Sequence, residues 1–134
     1  MIILICGLPG SGKTTLAQNL VPKIAAEWKN ADAVRKEYND WDFSYEGRIR
    51  QAKRMKEFCD KSKSNRVVID MVCPTRETRR IINPDIVIWM DTIKKGRFED
   101  TNMMFEPVER YDYKISTFNA EYWSTVIASR IINH

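Results

Sequence analysis

The apolar positions along the chain form short runs that predict buried strands. Residues 1–6, 66–70 and 86–91 are apolar for most of their length, and the last two runs end in an aspartate. Such runs are typical of strands that are covered on both faces of a parallel sheet. Residues 111–115 alternate between apolar and polar side chains and form a weaker strand candidate. The pattern therefore predicts a sheet built from short strands.

Three longer segments carry apolar residues at the spacing of a helix, over residues 14–27, 45–62 and 119–133. Pro22 interrupts the first segment and is expected to bend or shorten its last turns. In the second segment Arg48 continues the apolar stripe toward the N-terminus, which predicts a place at the edge of the core. Strands that alternate with helices predict a parallel α/β sheet with right-handed crossovers. The absence of repeats and linkers predicts one domain over the whole chain.

Composition excludes several classes of protein. The chain has 134 residues, of which 43% are hydrophobic and 30% charged, so it is neither disordered nor fibrous. No apolar run approaches the ~20 residues of a membrane-spanning helix, and the first strand runs into a glycine loop rather than a cleavage site. The net charge of +4 favours an anionic ligand but is too small to demand nucleic acid. We therefore expect a cytoplasmic protein without a membrane partner.

Histidine and cysteine usage narrows the chemistry further. His134 is the only histidine, which excludes a Ser-His-Asp triad, a Cys-His pair and a multi-histidine zinc site. Cys6, Cys59 and Cys73 are odd in number and have no C-x-x-C spacing. We interpret them as small buried thiols in a reducing compartment rather than as a disulfide framework or a redox switch.

Residues 7–14 match the motif G-x-x-x-x-G-K-[ST] at every defined position, and they lie between a predicted strand and a predicted helix. Glycines let the backbone curl so that successive N–H groups surround a phosphate, and the positive end of the helix adds to that field. Lys13 is expected to reach the β- and γ-phosphates of ATP, and the Thr14 hydroxyl to ligate Mg²⁺. The alternative is a glycine-rich turn without a ligand. The predicted ATP-binding residues are Gly7, Pro9, Gly10, Ser11, Gly12, Lys13, Thr14 and Thr15.

Three aspartates follow or end apolar stretches, at positions that would border the ligand crevice of a parallel sheet. Asp70 resembles a Walker B carboxylate and is a candidate Mg²⁺ ligand through water. Asp32 is a candidate to orient or deprotonate an acceptor hydroxyl. The alternative for each is a helix N-cap, and for Asp91 we favour that alternative.

Basic and aromatic residues interleave between positions 35 and 56. Aromatic rings beside guanidinium groups suit a ligand that has a flat base and negative charge. The alternative is a set of core aromatics with surface charge, and we expect Arg50, Lys53 and Lys56 to be solvated. The segment contains Arg35, Lys36, Tyr38, Trp41, Phe43, Tyr45, Arg48, Arg50, Lys53, Arg54 and Lys56.

An ordered series of short segments resembles the adenylylsulfate kinase family. After the phosphate loop, residues 32–35, 39–44 and 48–51 resemble the family's D-N-V-R, D-L-G-F-S and R-x-x-N segments. Residues 73–76 then resemble S-P-Y-R. Phe98 precedes residues 105–107 as a phenylalanine precedes the family's Y-E-P-P signature.

The resemblance implies a P-loop NTPase fold, with helices on both faces of a five-stranded, mostly parallel sheet. It also implies an ATP- and Mg²⁺-dependent kinase of sulfate assimilation, which phosphorylates the 3′-hydroxyl of adenosine 5′-phosphosulfate (APS) to give PAPS and ADP. Lys13 and Asp32 would be catalytic, and Thr14 and Asp70 would hold the metal. The residues that would bind the acceptor are Asp32, Arg35, Phe43, Arg48, Gln51, Cys73 and Phe98.

The chain departs from the family pattern at several positions. Asn30 replaces the first aspartate of D-G-D, and Cys73 and Thr75 replace serine and tyrosine. A shortened lid over residues 93–106 replaces the family's longer, arginine-bearing segment. Either Lys94, Lys95 or Arg97 compensates for it, or turnover is slow. Two other hypotheses about function stay open: a kinase for another hydroxyl, such as a polynucleotide 5′-end, and a non-catalytic nucleotide sensor. The oligomeric state stays open too, with a homodimer as one option.

Overall fold

The protein folds around a parallel sheet of five strands. The computed structural model describes residues 1–96 and 98–133. The strands are β1 Ile2–Gly7, β2 Glu27–Asn30, β3 Val67–Asp70, β4 Ile86–Met90 and β5 Tyr113–Ile115. They are arranged in the order β2-β3-β1-β4-β5, and every neighbouring pair is parallel. The α/β class expected from the sequence is therefore confirmed, and the sheet is entirely rather than mostly parallel.

Helices cover both faces of the sheet. They are α1 Lys13–Ile24, α2 Ala31–Tyr38, α3 Tyr45–Lys61, α4 Arg76–Ile82, α5 Glu99–Met104 and α6 Ala120–Ile132. Along β1, Ile3 and Ile5 pack in the apolar layer of α1 and α6, whereas Leu4 and Cys6 pack in the layer of α3 and α4. Since successive side chains of a strand point to opposite faces, β1 must be apolar at every position.

The first predicted helix is too long at its C-terminal end. The sequence predicts a helix over residues 14–27, but α1 ends at Ile24, where Ala25 adopts a left-handed conformation with φ 51°. Pro22 lies inside the last turn of α1 without ending it, because the helix continues to Ile24. The chain then enters β2, an edge strand that the apolar pattern did not predict.

The carboxyl ends of the central strands meet at one edge of the sheet. The register pairs Ile5 with Asp70, Gly7 with Met90 and Asn30 with Asp70. The segment that follows β1 therefore begins beside the ends of β2, β3 and β4, which is where open α/β sheets bind ligands. Within the described residues, no helix has both the length and the apolar character needed to cross a bilayer.

Candidate active site

Backbone geometry shapes the phosphate loop between β1 and α1. Gly12 immediately precedes α1 with φ 96°, in the left-handed region that favours glycine. Gly7 also requires its residue type, because an added Cβ would lie 2.6 Å from the carbonyl oxygen of Met90. The loop thus curls tightly against β4 and directs the start of α1 into the crevice, as expected for a cradle of main-chain N–H groups.

Lys13 is the basic group of this loop. Its Nζ donates a hydrogen bond to the carbonyl oxygen of Leu8 at 3.0 Å. Burial lowers the pKa of Lys13, and the nearby negative charges of Asp70 and Asp32 act in the opposite direction. A phosphate anion in the loop would stabilise the charged ammonium in the same way that these carboxylates do.

Asp70 receives hydrogen bonds on both of its carboxylate oxygens. Thr14 Oγ1 and Asn30 Nδ2 donate to Oδ1 at 3.2 and 3.0 Å, and Trp28 Nε1 donates to Oδ2 at 2.6 Å. Burial raises the pKa of Asp70, and the hydrogen bonds from Trp28 and Asn30 partly offset that effect. Asp70 is the last residue of β3 and not a helix cap, so the N-cap alternative does not hold for it.

The pair formed by Thr14 and Asp70 fits a magnesium ion. Both side chains offer oxygen atoms, they lie beside the phosphate loop, and they are already within 3.2 Å of each other. Mg²⁺ in phosphoryl-transfer sites takes one or two protein oxygens and completes its shell with phosphate oxygens and water. The donor set present here meets that requirement.

Asp32 lies in the first turn of α2 and lines the same cavity as Lys13. It is not the N-cap of α2, because Asn30 holds that position and accepts a hydrogen bond from the Ala33 N–H at 3.0 Å. The carboxylate of Asp32 makes no hydrogen bond or ion pair within residues 1–96 and 98–133. The carboxylate is therefore available to a ligand in this cavity.

Asp91 has a different environment from the other two aspartates. Its carboxylate pairs with Lys94 Nζ at 3.0 Å and Lys114 Nζ at 3.6 Å. Residues 91 and 92 do not begin a helix, so the N-cap that we favoured for Asp91 is wrong. The residue instead anchors the start of the segment that follows β4.

A single cavity of about 1010 Å³ joins the phosphate loop to the basic and aromatic segment. All seven residues that the resemblance assigns to the acceptor line this cavity, as do Thr14 and Asp70. Gly7 and Ser11 belong to the loop without lining the cavity. The predicted site residues that line it are Pro9, Gly10, Gly12, Lys13, Thr14, Thr15, Asp32, Arg35, Phe43, Arg48, Gln51, Asp70, Cys73 and Phe98.

Phe43 lies beneath two guanidinium groups. The Cζ atoms of Arg35 and Arg48 are 4.5 and 4.9 Å from the centre of its ring. Arg35 is buried, and its Nη1 donates to the carbonyl oxygens of Asp40 and Asp42 at 3.0 and 2.9 Å. These bonds tie Arg35 to the loop between α2 and α3, which carries Phe43.

The same loop is anchored from α3 by a third arginine. Arg50 donates to both carboxylate oxygens of Asp40, at 2.7 and 3.0 Å, and to Asp42 at 3.1 Å. These contacts hold the pKa of Asp40 well below its usual range. The sequence predicts Arg50 as part of a solvated face. Its side chain is 43% exposed, yet its hydrogen bonds to Asp40 and Asp42 hold the loop that carries Phe43.

Arg48 and Gln51 each have hydrogen bonds at some polar atoms and one buried polar atom without a partner among the described residues. Arg48 Nη2 donates to Thr101 Oγ1 at 2.7 Å, and Gln51 Nε2 donates to the carbonyl oxygen of Ala31 at 2.8 Å. Within the described part of the chain, Arg48 Nε and Gln51 Oε1 have no hydrogen-bond partner. A buried donor and a buried acceptor without partners are unfavourable in a site with no ligand. Burial and the neighbouring Arg35 also lower the pKa of Arg48.

Cys73 lies in the cavity wall with φ 48°, a left-handed conformation that non-glycine residues rarely adopt. Its thiol is buried and donates to Thr78 Oγ1 at 3.5 Å, so the side chain is already engaged within the protein. Burial raises its pKa to about 11. The interpretation of Cys6, Cys59 and Cys73 as free, buried thiols is confirmed.

The segment over residues 93–106 contains α5, and its described residues that line the cavity are Phe98, Asp100 and Thr101. The side chain of Phe98 is 55% exposed. Lys94 pairs with Asp91, and Lys95 with Glu99 at 3.4 Å. Arg97, the third cation expected to compensate for the short lid, lies outside the described residues.

Sequence reasoning missed several residues in or beside the site. Trp28 contacts Asp70 from β2, a strand that was not predicted, and Thr101 contacts Arg48 from α5. Phe118 lies between β5 and α6, 3.4 Å from the position of an added Cβ on Gly12. The asparagine N-cap before α2 is the one local signal that could have revealed where β2 ends.

Solved structures of the same fold include kinases for different acceptors. The APS kinase CysC of Mycobacterium tuberculosis, in complex with AMPPNP and APS, has a TM-score of 0.79 at 15% identity over 98% of this chain and 96% of that one. APE1195 has a TM-score of 0.76 at 20% identity over 99% and 95%. Shikimate kinase of Acinetobacter baumannii has a TM-score of 0.65 at 17% identity over 98% and 92%. A sequence search of the curated proteins found no match.

The fold and the phosphate loop together define a P-loop protein with the architecture of small kinases. At these identities the solved structures show the fold and not the acceptor. The chain belongs to the AAA domain family, whose model matches residues 2–82 and so includes the phosphate loop, Asp32, Arg48 and Asp70.

Proposed function

We propose that this protein is an ATP-dependent kinase that phosphorylates the 3′-hydroxyl of adenosine 5′-phosphosulfate. The observation that carries the proposal is the shared cavity. It places a phosphate loop and a buried arginine pair in one space of about 1010 Å³, at the upper end of the ~300–1,000 Å³ range of small-molecule sites. Such a space leaves room for an acceptor beside the nucleotide, and the lining at the acceptor end is what favours one acceptor over another.

The acceptor half of the cavity has the chemistry of an anionic purine nucleotide. Arg35 and Arg48 offer positive charge for the phosphosulfate, and Phe43 and Phe98 offer ring surface for the adenine. The unpartnered Arg48 Nε and Gln51 Oε1 call for a ligand that both accepts and donates hydrogen bonds. A nucleotide with an anionic tail and hydroxyl or amino groups meets both needs.

In the proposed reaction the acceptor 3′-oxygen attacks the γ-phosphorus, and the bond from that phosphorus to the bridging oxygen of ADP breaks. Asp32 accepts the proton of the hydroxyl, and Lys13 with the loop N–H groups holds the β- and γ-phosphates. Thr14 and Asp70 would hold Mg²⁺, which neutralises the charge that develops on the phosphate oxygens. A loose phosphoryl-transfer transition state depends on this positioning and positive charge.

The test is an acceptor screen that measures ADP release with ATP and Mg²⁺. We expect adenosine 5′-phosphosulfate to give ADP and a 3′-phosphorylated product by chromatography, and gluconate, shikimate and oligonucleotides to give background rates. Labelled oligonucleotide 5′-ends would replace the proposal with a polynucleotide kinase. ATP binding without transfer to any acceptor, even at high protein concentration, would indicate a nucleotide sensor.

A further inference from the structure

Asp70, the proposed magnesium ligand, accepts a hydrogen bond from a residue that the sequence did not predict at the site. Asp70 Oδ2 accepts the indole N–H of Trp28 at 2.6 Å, whereas Oδ1 faces Thr14 and Asn30. Asp70 is 2% exposed, so its rotation is limited to what these three donors permit. The hydrogen bond from the indole to Oδ2 therefore leaves Oδ1 as the oxygen that faces the phosphate loop.

The backbone explains how one edge strand supplies two of these donors. Trp28 and Asn30 are two residues apart on β2, so their side chains project from the same face. The register places Trp28 opposite Val68 and Asn30 opposite Asp70 on β3. Trp28 and Val68 both pack in the layer of α1, so this face of β2 points toward the helix that carries Thr14.

The two donors differ in what else they contact. Asn30 Nδ2 also lies 3.4 Å from Thr14 Oγ1, and its side-chain oxygen caps the helix that carries Asp32. Trp28 makes no second polar contact within the described residues. An indole N–H is a donor only and cannot compete as a metal ligand. The ring is also partly buried against apolar side chains, which limits its movement.

We propose that Trp28 is a positioning residue for the magnesium ion that accompanies ATP, through its hydrogen bond to Asp70 Oδ2. The inference rests on the proposed phosphoryl-donor role of the loop but not on the identity of the acceptor. Partners that orient a metal ligand typically change metal affinity by about 10- to 100-fold when removed. Trp28 thereby contributes to the donor site without touching nucleotide or metal.

The test compares the affinity for a non-hydrolysable ATP analogue in excess Mg²⁺ and in EDTA, by calorimetry. Trp28→Phe keeps an aromatic ring in the apolar layer and removes the N–H. We expect the Mg²⁺-dependent gain in affinity to fall about 10-fold, with the affinity in EDTA unchanged. Trp123→Phe is the matched control, because Trp123 packs in the same layer but is not among the hydrogen-bond donors to Asp70 in the described part of the chain. This control should retain the full gain.

The other possible results would contradict either the positioning role of Trp28 or the proposed ATP chemistry. An unchanged Mg²⁺-dependent gain in Trp28→Phe, or equal losses with and without the metal, would overturn the positioning role. If the phenylalanine variant does not fold, benzothienylalanine at position 28 replaces the N–H by sulfur at nearly constant shape and answers the same question. A wild-type protein whose affinity for the analogue does not depend on Mg²⁺ would overturn the proposed donor chemistry itself, and the inference with it.

Discussion

The two ends of the cavity are built in different ways. At the phosphate-loop end, one continuous stretch, residues 7–15, provides the backbone cradle, Lys13 and Thr14. At the basic end, Arg35 and Arg48 come from different helices, and the hydroxyl that receives a hydrogen bond from Arg48 lies 53 residues further along the chain, on Thr101. The loop at the first end is a local structure, which Asp70 reaches from β3. The basic end exists only once distant segments have packed together.

The two ends also differ in how their polar groups are satisfied. The ammonium of Lys13 and the carboxylate of Asp70 already have partners at the phosphate-loop end. Among the described residues that line the cavity, those with an unpartnered buried polar atom are Arg48 (Nε) and Gln51 (Oε1), both at the basic end. Ser11 Oγ of the phosphate loop is unpartnered too, but Ser11 does not line the cavity. Because unpartnered buried groups gain most from a complementary ligand, the basic end is where selectivity among acceptors should arise. Changes at one end should then leave ligand binding at the other end nearly unaffected.

The largest expected effect is that of Asp32→Asn, which removes the proposed proton acceptor between the two ends. General-base catalysis contributes typically ~10²–10⁴-fold, so turnover should fall by about that factor while the affinity for ATP changes little. Steady-state rates and direct ATP binding separate the two quantities. Asp100→Asn is the control, since Asp100 also lines the cavity but has no assigned role. A variant with the wild-type rate would remove Asp32 from the mechanism.

An intermediate effect is expected for Phe43→Ala at the basic end. Stacking of a base on an aromatic ring contributes ~1–3 kcal/mol, so the KM for the acceptor should rise about 5- to 150-fold while the KM for ATP is nearly constant. Tyr45→Ala is a matched control, because Tyr45 and Phe43 are both 47% exposed and only Phe43 lines the cavity. Equal increases in both KM values would contradict the division into two ends.

The smallest effect concerns the acid sensitivity of the loop that carries Phe43. Hydrogen bonds from Ser44, followed by Arg50, lower the pKa of Asp42 to about 2, below the value of about 3.9 for an unfolded aspartate. A lowered pKa in the folded state means that the charged form contributes stability above about pH 3.9, and that this contribution is lost as the pH falls toward 2.

The urea concentration at the midpoint of unfolding should fall in the wild type as the pH is lowered from 5 to 2. We expect this fall to be smaller in Asp42→Asn. The asparagine keeps an oxygen that can accept the Ser44 N–H, so the loop conformation is preserved. Asp60→Asn, on the exposed surface of α3, should leave the slope unchanged. An Asp42→Asn profile that runs parallel to the wild-type profile would show that this carboxylate does not contribute to acid sensitivity.

The apolar patterns along the sequence predicted the strands and helices whose burial requires such a pattern. The apolar runs located β1, β3 and β4, and the stripe that includes Arg48 correctly placed it at the edge of the core. They did not reveal β2, an edge strand whose residues Glu27–Asn30 include no fully buried side chain, nor the short helices α2, α4 and α5. An edge strand pairs with only one neighbour and lies at the border of the sheet, so it can carry polar residues and needs no apolar run.

The chain by itself determined the phosphate loop, because a cradle of main-chain N–H groups depends on glycines and a lysine at adjacent positions. It also determined the parallel α/β class, since strands that are covered on both faces must be apolar throughout. Only the tertiary structure decided which donors surround Asp70, how Arg35 and Arg48 flank Phe43, and that Thr101 lies beside them. These contacts join residues that are far apart in the chain, and side-chain geometry across such separations depends on packing that no local pattern encodes.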